Sequence, residues 1–191
     1  MPVALRKFYS EEEFLALERM AKIKNEYYRG EIFAMSGASF QHNQIAAALA
    51  RELGQFLDDK KCNIFGSDLR IYAQLNSFYT YPDAVIICDE PSFIDNEFDT
   101  LLNPTVLIEI LSDSTEQYDR TIKFDYYKNI PALKQYVLID SRKVVIEVYT
   151  KQLDKSWQPA QYNNLNEEWE LTSIQYKGFV KNLYKNVQLK K

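Results

Sequence analysis

Pro104-Thr105-Val106-Leu107-Ile108-Glu109-Ile110-Leu111-Ser112 is a short apolar run that carries one carboxylate. Three apolar residues precede Glu109 and two follow it. The run has no polar alternation, which is the pattern of a strand covered on both faces. A lone carboxylate in such a strand is costly to bury unless it is paired, protonated or bound to a metal. A second run, Tyr81-Pro82-Asp83-Ala84-Val85-Ile86-Ile87-Cys88, has similar composition and also carries one acid. Asp83 follows a proline, which marks a strand start or an edge position. Two strands that each present an acid make the simplest protein site for a hard divalent cation.

Outward from these strands, Ser10-Glu11-Glu12-Glu13 matches a capping box with Glu13 at N3. Phe14, Leu15, Leu17 and Met20 then predict a short amphipathic helix. Residues 25–36 predict a hairpin turning at Arg29-Gly30. Residues 39–57 predict the longest helix, with Ile45, Leu49, Leu53 and Phe56 at helical spacing. Strands are expected at 62–65, at 69–75 and at the two acid-bearing runs, with an irregular, mobile loop over 89–103. A helix over 114–129 ends before Pro131, because proline disfavours helix at the residue before it. Strands over 133–140 and 144–150 follow. From Trp157 onward, polar and aromatic residues alternate as in an antiparallel appendage. Helix, strands, helix and strand in this order predict an α/β fold with a mixed sheet.

The length of 191 residues predicts one domain. It divides into an N-terminal helix and hairpin (1–38), a core (39–140) and a strand-rich extension (141–191). Hydrophobic residues at 46% and charged residues at 26% are globular values, so no disorder is forced. A net charge of −4 argues against coating nucleic acid by charge alone. Cys62 and Cys88 form no CxxC pair; read as two isolated cysteines, they point to a reducing compartment. Residues 1–9 lack an apolar core of signal-peptide length, and no stretch approaches a membrane span. A cytoplasmic protein is expected. The single histidine, His42, excludes sites that need several imidazoles from one chain. No GxGxxG, GxxxxGK[ST] or GxSxG motif is present, so dinucleotide, P-loop and serine-elbow readings fail.

Several stretches then fall in a telling order: Tyr28-Arg29-Gly30-Glu31-Ile32, His42-Asn43, Ser67-Asp68-Leu69-Arg70, Tyr81-Pro82-Asp83 and Ile108-Glu109-Ile110-Leu111-Ser112. Asp119-Arg120-Thr121-Ile122-Lys123 with Tyr126-Tyr127, and Gln135-Tyr136-Val137-Leu138-Ile139-Asp140, complete the series. Each is weak alone; together they resemble the Uma2 family (DUF820) of restriction-endonuclease-like proteins, in the PD-(D/E)XK nuclease superfamily. The resemblance covers most of the chain. It implies a restriction-endonuclease-like mixed central sheet flanked by helices, with antiparallel additions at the N- and C-terminal ends. It implies an endonuclease that hydrolyses DNA with Mg2+ (or Mn2+), held by Asp83 and Glu109, with a lysine orienting the attacking water. Leu111 stands where an E-x-K strand carries that lysine. Lys123 on the following helix is expected to substitute, sharing a face with Asp119 and with Tyr126 or Tyr127 at i, i+4 and i+7 or i+8.

Each residue keeps a plainer alternative. Glu109 is a metal ligand or a buried acid paired with Arg70 or a lysine. Asp83 is a ligand or a turn cap, and Lys123 is catalytic or an ordinary helix ion pair. Glu31 is a third metal ligand or an exposed hairpin residue. His42 is a site residue or a polar first-turn residue. Arg70 contacts phosphate or neutralises the acids, and Asp119 and Tyr127 are further candidate contacts. Lys177, Lys181 and Lys185 read as a solvated face. The alternative function is a non-catalytic nucleic-acid-binding or protein-interaction module that keeps the fold; a weaker one is a small-molecule phosphate hydrolase. DNA as partner also predicts a homodimer with one site for each strand of the duplex.

Overall fold

The computed structural model describes residues 7–189, so residues 1–6 of the leader reading lie outside it. Helix α1 (Glu11–Met20) is closed by the expected capping box between Ser10 and Glu13 and buries Phe14 and Leu15. Strands β1 (Asn25–Tyr28) and β2 (Glu31–Ala34) form the expected hairpin. Its two turn residues, Arg29 (φ 45°) and Gly30 (φ 98°), both have positive φ, the condition for a tight two-residue turn. A Cβ on Gly30 would come within 2.8 Å of the Phe8 ring, so glycine is required there twice over. Helix α2 (Phe40–Leu57) is capped by Ser39 and turns Ile45, Leu49 and Leu53 inward.

Nine strands follow α2 before the C-terminal hairpin closes the chain: β3 (Asn63–Gly66), β4 (Arg70–Ala73), β5 (Phe78–Thr80), β6 (Ala84–Ile87), β7 (Thr100–Leu101), β8 (Val106–Leu111), β9 (Gln135–Asp140), β10 (Ile146–Lys151) and β11 (Trp157–Tyr162). The central sheet has six strands in the order β11-β10-β9-β8-β6-β3. Only its β8–β9 pair is parallel. A second sheet runs β2-β1-β5-β4-β7. Between β8 and β9 the chain is helical in three pieces: α3 (Glu116–Tyr118), a π turn over Asp119–Lys123, and α4 (Phe124–Tyr127).

Every residue of β8 is buried, as the unbroken apolar run requires. Ile108 and Ile110 face α2 in one apolar cluster. Leu107 and Leu111 face the other way, toward Phe124, Tyr127 and, from the second sheet, Ile71 and Phe78. By strand alternation, Glu109 shares the second face.

Two expectations are corrected and one is refined. The C-terminal third is antiparallel as expected, but it is built into the core. Strand β11 extends the central sheet, and the β12–β13 hairpin (Glu168–Leu171 with Tyr176–Phe179) places Trp169 and Tyr176 in the core under α2. A short helix α5 (Val180–Tyr184) follows and packs on α2. The segment 89–103 is not a free loop: β7 pairs with β4, and Arg19 ties it down through Asp95 (2.7 Å) and Asp99 (2.8 Å). Cys62 and Cys88 are not isolated. They form a disulfide, flanking the paired residues Asn63 and Ile87 with 3.9 Å between their Cα atoms. The argument from unpaired cysteines to a reducing compartment therefore falls. Among the described residues, no helix is long and apolar enough to cross a membrane.

Candidate active site

The two strand acids are brought together by register. Strands β6 and β8 pair antiparallel with Ala84 opposite Ile108. One residue further along, Asp83 stands across from Glu109, so their side chains leave neighbouring backbones. Asp83 Oδ2 accepts the Ile110 N–H at 2.7 Å and lies 3.1 Å from His42 Nε2 in the first turn of α2. Glu109 Oε1 accepts the Tyr127 hydroxyl at 2.8 Å and the Lys123 ammonium at 3.1 Å. Burial pushes the Glu109 carboxyl well above the usual range; the Lys123 ammonium opposes this, and the charges of Asp119 and Asp83 add to it.

The π turn supplies the basic partner. Such turns widen a helix locally and recur at functional sites. This one buries Asp119 and Lys123. The Lys123 ammonium lies 3.1 Å from Glu109 Oε1, 3.2 Å from Glu26 Oε1 and 3.4 Å from Asp119 Oδ1. Burial alone would lower its pKa, but the three carboxylates outweigh burial and hold it well above the lysine range. Lys123 is therefore an ammonium at neutral pH. Burial raises the Asp119 carboxyl, Lys123 opposes the rise, and Asp83 adds to it. Asp119 Oδ1 is buried without a hydrogen bond and has only the long ionic contact to Lys123.

Glu26, Asp83, Glu109, Asp119, Lys123 and His42 all line one cavity of about 1200 Å3. Its lining also includes small polar residues, among them Ser36, Ser39, Ser67, Ser112 and Thr115, together with Lys22 and Lys24. Of the residues singled out from sequence, Asp83, Glu109, Lys123, Asp119, Tyr127 and His42 thus converge.

Glu31 and Arg70 do not. Glu31 opens β2 opposite Tyr28 and is not among the residues lining the cavity. Arg70 is buried away from the acids, donating to Thr100 Oγ1 and the Tyr81 hydroxyl and pairing with Asp99, all at 2.8 Å. Lys123, not Arg70, is the basic partner of Glu109. Of the helix tyrosines, Tyr127 reaches Glu109, whereas Tyr126 stacks on Tyr28 with ring centres 4.9 Å apart.

Sequence reasoning missed Glu26. It is buried on β1, where Oε1 accepts the Thr80 hydroxyl and Oε2 the Tyr118 hydroxyl at 3.1 Å. The signal was present: Glu26 and Tyr28 alternate onto one face of a strand whose next residue-pair neighbour was already a candidate.

Among the described residues, no group of three or more His, Cys, Asp or Glu side chains is gathered as a metal cluster. Lys123 fills the space among Glu26, Glu109 and Asp119. The paired acids Asp83 and Glu109 remain, an all-oxygen donor set. Mg2+ suits such a set, because it commonly takes one or two protein carboxylates and completes its shell with water and substrate phosphate. The buried Asp119 oxygen without a hydrogen bond also fits a site that gains positive charge. The residues present fit a hard divalent cation.

A family model described as "Uma2: Putative restriction endonuclease" matches residues 11–183. Two Synechocystis sp. (strain ATCC 27184 / PCC 6803 / Kazusa) proteins are similar. "Uncharacterized protein sll1609" is 36% identical over 90% of this chain and 97% of its own length. "Uncharacterized protein slr1290" is 38% identical over 86% of this chain and 85% of its own length. The fold matches the crystal structure of a protein described as a "putative nuclease belonging to DUF820", from Anabaena variabilis ATCC 29413. That match has a TM-score of 0.74 at 20% identity, over 91% of this chain and 96% of that one. The fold is thus the restriction-endonuclease-like α/β arrangement expected from sequence, and the chain belongs to the Uma2 family.

Proposed function

We propose that this chain is a nuclease that hydrolyses DNA phosphodiester bonds with Mg2+ or Mn2+ as cofactor. The observation that carries the reading is one buried ammonium, Lys123, 3.1 Å from a strand acid that stands across from a second acid, at the wall of a shared cavity. Membership of a family described as "Putative restriction endonuclease" supports it.

Each side chain has a part. Asp83 and Glu109 would hold the cation. The Ile110 N–H and His42 fix the Asp83 carboxylate, and the Tyr127 hydroxyl fixes Glu109. Lys123 presents an N–H to a phosphate oxygen or to the attacking water, and its charge balances the developing negative charge. A bound Mg2+ supplies Lewis acidity, lowering the pKa of its water and polarising the phosphoryl oxygen. Leu111, where an E-x-K strand has lysine, is buried in the apolar cluster, so the ammonium must come from the helix. The proposal includes a homodimer with one site for each DNA strand.

Purified protein is assayed on plasmid, linear and single-stranded DNA with Mg2+ or Mn2+. Cleavage lost in the Asp83→Ala, Glu109→Ala double variant supports the assignment; cleavage that survives there sinks it. Leu111 and the net charge of −4 favour one second reading, a non-catalytic module that binds nucleic acid or a protein. Calorimetry separates the two, because the module binds DNA or its partner without binding Mg2+ or Mn2+.

A further inference from the structure

An ammonium has three N–H donors. The Lys123 ammonium donates to Glu109 at 3.1 Å and makes ion-pair contacts with Glu26 at 3.2 Å and Asp119 at 3.4 Å. With three carboxylates around it, the ammonium reaches a phosphate or a water only if one of these contacts is exchangeable. The three acids are not equivalent. Asp119 makes the longest contact, and the Oδ1 that makes it accepts no hydrogen bond, although Thr115 contacts the same carboxyl group. Glu109 belongs to the pair that would hold the cation, so its hold on Lys123 weakens whenever that cation is bound. Glu26 is different on both counts. Both its oxygens are tied by neutral hydroxyls, Oε1 by Thr80 and Oε2 by Tyr118. It also comes from β1 in the second sheet, not from the strands that carry Asp83 and Glu109.

We propose that Glu26 is a positioning residue for Lys123: it anchors the ammonium against the second sheet, leaving the N–H that faces Asp119 as the one released to substrate. Its catalytic consequence rests on the nuclease reading above, but the anchoring itself does not. Thr80 and Tyr118 keep the Glu26 carboxylate in place, and Glu26 keeps the ammonium beside the site when Glu109 turns to a cation. Asp119 holds the third N–H until a phosphate oxygen or water replaces it.

The test uses 15N-lysine-labelled, metal-free protein. The Lys123 ammonium resonance is assigned by its absence in Lys123→Met, and its hydrogen exchange with water is measured. Exchange is expected to be at least tenfold faster in Glu26→Gln, an isosteric change that removes the charge, and within about threefold of wild type in Asp119→Asn. Should Glu26→Gln fail to fold, Thr80→Val removes one tie on Glu26 without touching Lys123 and is expected to speed exchange in the same direction. Unchanged exchange in the folded Glu26 or Thr80 variant, or equal acceleration in the Asp119 variant, overturns the proposal. If wild type cleaves plasmid DNA, Glu26→Gln is expected to lower kcat at least tenfold with KM within twofold; a loss confined to KM overturns the positioning role. If wild type cleaves nothing, the nuclease reading fails and the exchange measurement still decides the anchor.

Discussion

Removing the Lys123 side chain leaves three carboxylates, Glu26, Glu109 and Asp119, facing one another around a hole. Breaking a buried ion pair by deleting one partner costs about 3–5 kcal/mol, because the remaining charge stays uncompensated. Lys123→Ala is therefore expected to destabilise the fold by that amount at neutral pH and above. The loss depends on pH. Burial already raises Glu109, and the Lys123 ammonium is what opposes the rise, so the variant raises Glu109 further. A carboxyl whose folded pKa lies above its unfolded value of about 4.3 contributes stability at low pH and loses it as pH rises through the folded pKa. Variant and wild type therefore diverge between their two folded pKa values, by about 1.4 kcal/mol per pH unit for each proton retained. Urea denaturation from pH 5 to pH 8.5 measures this. The expected result is a small difference at pH 5 that grows to several kcal/mol at the alkaline end. A variant as stable as wild type at pH 8.5, or a difference independent of pH, would refute the buried charge cluster.

Three further outcomes follow from the same packing. Leu111→Lys puts an ammonium among Leu107, Phe124 and Tyr127 and is expected to cost about 3–5 kcal/mol, read as a lower urea midpoint; an unchanged midpoint would show that position 111 has room for the lysine of an E-x-K strand. Reducing the Cys62–Cys88 bond, which closes a separation of 26 residues, is expected to cost about 3.5 kcal/mol in the chain-entropy account, and an equal melting temperature with and without reductant contradicts it. Light scattering at micromolar concentration is expected to give twice the 22.5 kDa chain mass; a mass near one chain rules out the homodimer.

What was legible in the sequence was local. The run around Glu109 announced a doubly covered strand, Ser10-x-x-Glu13 announced a helix start, and Arg29-Gly30 announced the hairpin, because each rests on neighbours in the chain. Lys123 was reachable because helical spacing ties it to Asp119 and Tyr127, and the π turn leaves all three beside Glu109 or Lys123. The rest depended on register between distant strands. Nothing local says that β3 lies beside β6, so Cys62 and Cys88 looked isolated. Glu31 was singled out because it follows the turn glycine and Glu26 was passed over, yet Glu26 is the one that the pairing of β1 with β5 brings to Thr80 and Lys123. Arg70 kept two open readings for a similar reason: its partners Asp99 and Thr100 belong to a segment taken as a loop. The C-terminal aromatics alternate as on a half-exposed sheet, but Trp169 and Tyr176 lie in the core beside α2.

The central claim is that Asp83 and Glu109 together hold a divalent cation. A crystal soaked in Mn2+ tests it most directly, through the anomalous scattering of the metal. The account predicts a peak beside the Asp83 and Glu109 carboxylates, lost in the Asp83→Ala, Glu109→Ala double variant. No peak there at a saturating concentration, or a peak bound by other residues, contradicts it.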